Sequence, residues 1–181
     1  MAEEDSGMIL ENLMNAIPTT GKKNQPLVVQ KLIECAKARC YPDDSSITVT
    51  EVGVAIKLQS LLDHTADRLC LSQSSVIDNL TEKNLVLISK WGCDGSSEQS
   101  TFKQKFCNTD VSDSNLFMSS IVPLRLITHN NGIIVWKNPR PSSVRYCRPI
   151  SFYFEKETNE FVNKIVNDIQ TQISTLCPSF L

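Results

Sequence analysis

The residues able to do chemistry first gather in the stretch 84–97, NLVLISKWGCDGSS. Leu85, Val86, Leu87 and Ile88 form an apolar run that reads as a largely buried strand. It leads to Cys93-Asp94-Gly95 and two serines. A carboxylate where a hydrophobic strand emerges needs a reason, because an unpaired buried charge is costly or shifts its pKa. Asp94 is therefore a metal ligand, a cap or turn residue, or a solvated strand end. Gly95 lets the backbone turn, and spacing alone favours the turn. Cys93 is a poor candidate nucleophile, since the adjacent carboxylate raises its thiol pKa. Neither His64 nor His129 can be placed beside a cysteine from the sequence, and His129 reads as an exposed hairpin histidine.

A second set of candidates is cationic. The net charge is -2, yet the segment 114–154 carries Arg125, Lys137, Arg140, Arg145 and Arg148 and no acid. Such a stripe can hold the phosphates of a nucleic acid, or it is a solvated edge whose charges pair with acids elsewhere in the fold. Lys137, Arg140, Arg145 and Arg148 are the candidate phosphate contacts.

With 181 residues, 41% of them hydrophobic, the chain has room for one domain with a helical preface or for two very small ones. No apolar run approaches the ~20 residues of a membrane span, and the acidic start MAEEDSG does not read as a signal peptide. The expectation is a soluble, intracellular protein. Seven cysteines form no Cys-x-x-Cys pair and only two histidines accompany them, which argues against a zinc site or a disulfide framework and for reduced thiols.

The elements that must position these residues follow from periodicity. Met8, Ile9, Leu13 and Ile17 lie near one helical face ended by Pro18, and a second mixed helical pattern follows Pro26 to about Cys40. Tyr41 to Ser46 is a turn cluster. Thr48-x-x-Glu51 resembles a capping box, with Val52, Ile56, Leu58, Leu61, Leu62 and Leu69 as the apolar face of a helix. Residues 72–80 predict a short helix. The two could resemble a helix-turn-helix, but the second carries no basic residue, so packing against the sheet is the favoured reading. Residues 96–115 read as a polar excursion.

Residues 116–128 predict a strand with Pro123 at a bulge or edge. Asn130-Asn131-Gly132 signals a hairpin, and Ile133 to Trp136 returns. Asn138-Pro139-Arg140-Pro141-Ser142-Ser143 is a stiff loop, and Ser151 to Phe154 is another strand. Phe161, Ile165, Ile169 and Ile173 then recur every four residues, predicting a helix from about Lys156 to Leu176. The fold class expected is α+β, with a helical region over 1–81 and a sheet domain over 82–181 whose open edge invites a protein partner or self-association.

Taken together, Trp91-Gly92-Cys93-Asp94-Gly95-Ser96-Ser97, the hairpin IVPLRLITHNNGIIVW and the block KNPRPSSVRYCRPI resemble the catalytic region of Transib-type transposases and V(D)J recombination-activating protein 1. These are ribonuclease H-like nucleotidyltransferases. The resemblance is best from about Val49 through Phe161. It implies a mixed sheet with three antiparallel leading strands, DNA as partner and a nuclear setting. It also implies that Asp94 is the first of three carboxylates holding two divalent ions, Mg²⁺ or Mn²⁺. The family's second and third acids would lie beyond the helix that ends near Leu176. Asp110, Asp113, Glu155 and Glu157 do not match them. The expectation is a partial core, inactive alone, with no tightly bound metal, unless another chain lends the missing acids.

Overall fold

The computed structural model describes residues 40–97 and 115–179. The chain divides into two units at Tyr41–Pro42, and every element named below belongs to the second. The expected helices over 6–17 and 26–40, and most of the excursion over 96–115, lie outside the described residues.

The unit is α+β. Six strands, β1 (Ile47–Val49), β2 (Gly53–Ile56), β3 (Leu85–Ser97), β4 (Asn115–Thr128), β5 (Ile134–Lys137) and β6 (Arg148–Phe154), form one sheet with three helices, α1 (Leu58–Ser72), α2 (Ser74–Asp78) and α3 (Asn159–Ser174). The order is β1-β2-β6-β4-β3, with β5 also on β4. Every described pairing is antiparallel, so the mixed character expected of the sheet is not present among the described strands. Residues on both sides of position 81 build this sheet and its core.

The segment 47–56 corrects the sequence reading. The supposed capping box falls in a hairpin: Thr48 lies in β1, Glu51 in the turn, and the helix starts only at Leu58. The β-branched residues Ile47, Thr48, Val49, Val54 and Ile56 suit a pleated surface. Gly53 then lets β2 lie against β6, because a Cβ there would stand 3.0 Å from the Tyr153 Cα. Turn chemistry closes the hairpin, with Thr50 N–H donating to the Gly53 carbonyl at 2.8 Å.

Helices α1 and α3 cover one face. Phe161, Ile165 and Ile169 recur at i+4 and meet Leu58, Leu61, Phe117, Ile121 and Ile150 in the core. The Phe161 ring stands edge-on to Phe117 at 5.1 Å and to Tyr153 at 5.7 Å. Thr158 caps α3 through its hydroxyl, which accepts from the Phe161 N–H at 3.2 Å. Lys57 offers α1 no such cap; instead Gln172 of α3 accepts from the Leu58 N–H at 2.9 Å. The hydroxyls of Ser119 and Ser151, opposite each other on β4 and β6, satisfy one another at 2.5 Å in the buried layer.

The Asn-Gly hairpin forms as expected: Gly132 takes φ +66, and the Thr128 N–H donates to Ile133 at 3.0 Å. Pro123 sits buried at a register shift, where Leu124 is the extra residue between the pairs Ser89–Pro123 and Ile88–Arg125.

Candidate functional site

Asp94 is not at a strand end. It is inside β3, paired with Met118, and its side chain is exposed. The ladder continues past Gly95 because β4 is long enough to pair with β3 as far as Ser97–Asn115. The turn expected at Gly95 is therefore absent.

Alternation sorts the chemistry onto two faces. Trp91 and Cys93 pack toward the helices, so Lys90, Gly92 and Asp94 face the other way. Gly95 returns to the helix side, and its missing Cβ makes room for Glu157, whose Cδ would stand 3.0 Å from it. Asp94 and Glu157 thus flank β3 from opposite faces and do not converge. Among the described residues, no three His, Cys, Asp or Glu side chains gather as a metal-binding group. The described residues by themselves do not assemble a two-metal centre.

The Cys93 thiol is held above its ordinary pKa, first by burial, then by Glu157 and Asp94. It is a weaker nucleophile than a free thiol at neutral pH.

On the open face, Lys90, Gly92, Ser120 and Val122 floor a cleft of about 400 Å³ roofed by Pro141 to Val144. The roof is the stiff loop between β5 and β6, and Asn138 pins it. The Asn138 side chain donates to the Pro123 carbonyl at 2.7 Å, and its N–H donates to the Leu124 carbonyl at 2.9 Å. Its side-chain oxygen accepts from the Arg140 N–H at 2.9 Å. Asn138 is buried and fills the gap between β5 and β6 along β4, where the bulge leaves carbonyls without a strand partner.

The four candidate cations separate. Lys137, Arg140 and Arg145 are exposed at the end of β5 and on the loop. Arg148 is half-buried, and its guanidinium lies 3.2 Å from Nδ1 of His64 on α1, on the helix side. The register shift between Ser119 and Ser120 places Arg148 opposite Ile121, a core residue, and so turns it away from the loop.

Strand pairing adds Lys90 to the cationic segment and brings Arg125, already counted in it, onto the same face. Ile88 pairs with Arg125, and Arg125 pairs with Lys137, so two exposed like charges stand directly opposite on β4 and β5. Lys90 shares the face of Ile88 two residues on. Among the described residues, Lys90, Arg125, Lys137, Arg140 and Arg145 make no ion pair. Like charges directly opposite destabilise a sheet, and an anion laid across them removes that repulsion. The alternation of β3 and the hairpin register carried this signal, but only once strand pairing was known.

No family model matches the chain, and no curated protein matches it.

Proposed function

We propose that this chain is a nucleic-acid-binding module derived from the leading part of a ribonuclease H-like, Transib-type DNA-processing core, and that it does not cleave DNA by itself. The observation that carries the binding half is a set of cations with no ion pair among the described residues. Arg125 and Lys137 face each other across two strands, and Arg140 and Arg145 extend from a loop that Asn138 fixes. These groups meet phosphates, which positions a duplex without reading its bases.

The ancestry half is supported by strand order. Strands β3, β4, β5 and β6 pair antiparallel and α3 follows against one face, an order compatible with three antiparallel leading strands at the front of such a core, with Asp94 on β3. Asp94 alone offers a divalent ion a single carboxylate, and Mg²⁺ keeps water in the rest of its shell at such sites. No reaction step is assigned to it.

The experiment is duplex binding over a salt series, with a metal-dependent nicking assay alongside. Contacts to four phosphates predict a slope of log K against log salt near about -3.6. Replacing Arg125, Lys137, Arg140 and Arg145 together by Gln abolishes that slope. Salt-independent binding, or none, removes the binding proposal. Strong nicking with Mg²⁺ or Mn²⁺ that disappears in Asp94→Ala removes the claim of inactivity.

A further inference from the structure

Among the described residues the outer edge of β3 carries no strand. This strand runs 13 residues and, among those residues, pairs with β4 alone. Among the described residues, no backbone hydrogen bond outside that pairing reaches it. Long, proline-free edges template pairing with another chain, and proteins ordinarily blunt them with shortness, proline, bulges or charge that opposes pairing. The bulge in this pair belongs to β4, so β3 keeps an even edge. The charges on β3 do not oppose pairing either: they are Lys90 and Asp94, of opposite sign, four residues apart, with Gly92 midway.

That spacing is self-complementary. In an antiparallel pair of two β3 strands related by a two-fold axis at Gly92, Gly92 meets Gly92, Trp91 meets Cys93, and Lys90 meets Asp94 of the second copy, twice. Directly opposite residues point to one face, so each ammonium stands beside a carboxylate. Shifting the axis to Trp91 puts Asp94 opposite Ile88. Shifting it to Cys93 leaves both charges opposite uncharged residues. Only the Gly92 register matches both charges at once.

We infer that the β3 edge pairs with a second copy of this chain about a two-fold axis at Gly92, held in register by reciprocal Lys90–Asp94 pairs. The two sheets become one, with the helices of both copies on one side and both cationic loops on the other. An isologous contact of this kind closes at two copies. The inference stands on strand pairing and charge and does not depend on nucleic-acid binding.

The test is sedimentation-based mass measurement of the full chain over a concentration series, with three variants: Lys90→Asp, Asp94→Lys and the exchange of both. Sedimentation of the native chain is expected to show a dimer. Each single change turns two attractive cross-strand pairs into two repulsive ones, lowering the association constant about tenfold. The exchange restores it to about the native value. As a register check, Gly92→Cys, where a Cβ meets nothing within 4 Å, is expected to yield a covalent dimer on mild oxidation more readily than the native chain. A native chain that stays monomeric, larger assemblies, an exchange that fails to restore association, or native cross-linking through Cys93 in preference to Gly92→Cys would each overturn the proposal.

Discussion

The side-chain amide of Asn138 donates to the carbonyl of Pro123 at 2.7 Å, joining the cationic loop to the bulge of β4. One buried residue thereby supplies the hydrogen bonds that an uninterrupted neighbouring strand would have given. It also sets the starting point of the segment that carries Arg140 and Arg145.

Replacing Asn138 by Ala strands the Pro123 carbonyl and the Arg140 N–H. A buried group left unsatisfied costs about 1–3 kcal/mol, so denaturant unfolding is expected to show a loss of that size. Asn138→Asp keeps the acceptor for Arg140 but loses the donor to Pro123. It should therefore also destabilise. An unchanged midpoint in both variants would show that the loop does not hang on this residue.

Arg148 and Arg140 should part company. Arg148→Gln removes a guanidinium lodged against His64 under α1 and is expected to lower the melting temperature while leaving the salt slope of DNA binding intact. Arg140→Gln should leave stability within about 0.5 kcal/mol, as for most surface changes, and reduce that slope by about 0.9. Matched melting and binding curves decide the pair.

Two glycines should respond unequally to Ala. At Gly53 the new Cβ meets the backbone of Phe152 and Tyr153, which cannot move without opening the β2–β6 pairing, so a loss of about 1–3 kcal/mol is expected. At Gly95 it meets the flexible end of Glu157, which can swing aside. Unfolding of the two variants in one denaturant series should rank them in that order. A larger loss at Gly95 would contradict it.

Phe161→Ala is expected to cost about 3–5 kcal/mol, since it opens a hole between Phe117 and Tyr153 where both helices meet the sheet. Ile173→Ala, one turn beyond the buried stripe and exposed, should cost far less. Equal losses would mean that α3 does not seat as described.

Alkaline pH should weaken the fold. Burial raises the Cys70 and Cys93 thiols and the Tyr153 phenol, each with help from nearby carboxylates. A raised folded pKa means the stabilising contribution is whole below the unfolded value, about 8.5 for a thiol, and is lost as pH rises through the folded one. Unfolding free energy should therefore fall from about pH 8.5 upward, and less steeply in Cys93→Ser. A flat profile across that range would contradict the sign.

Local interactions explain what the sequence alone determined. The four-residue recurrence of Phe161, Ile165 and Ile169 specifies α3 because one helical face needs no distant partner to be defined. Asn131-Gly132 specifies the β4–β5 turn because positive φ is cheap there, and Pro123 announced a bulge because it has no N–H to give. The acid of Cys93-Asp94-Gly95 and the loop cations were visible as residue types. What they could do together was not. Whether 47–56 would be helix or hairpin depended on β6 lying close over Gly53. Whether Asp94 would end a strand or sit within one depended on the length of β4. Whether Arg148 would join the loop cations or turn beneath α1 depended on a register shift at Ser119–Ser120. Each of these was decided by pairing between residues far apart in the chain, which no local pattern encodes.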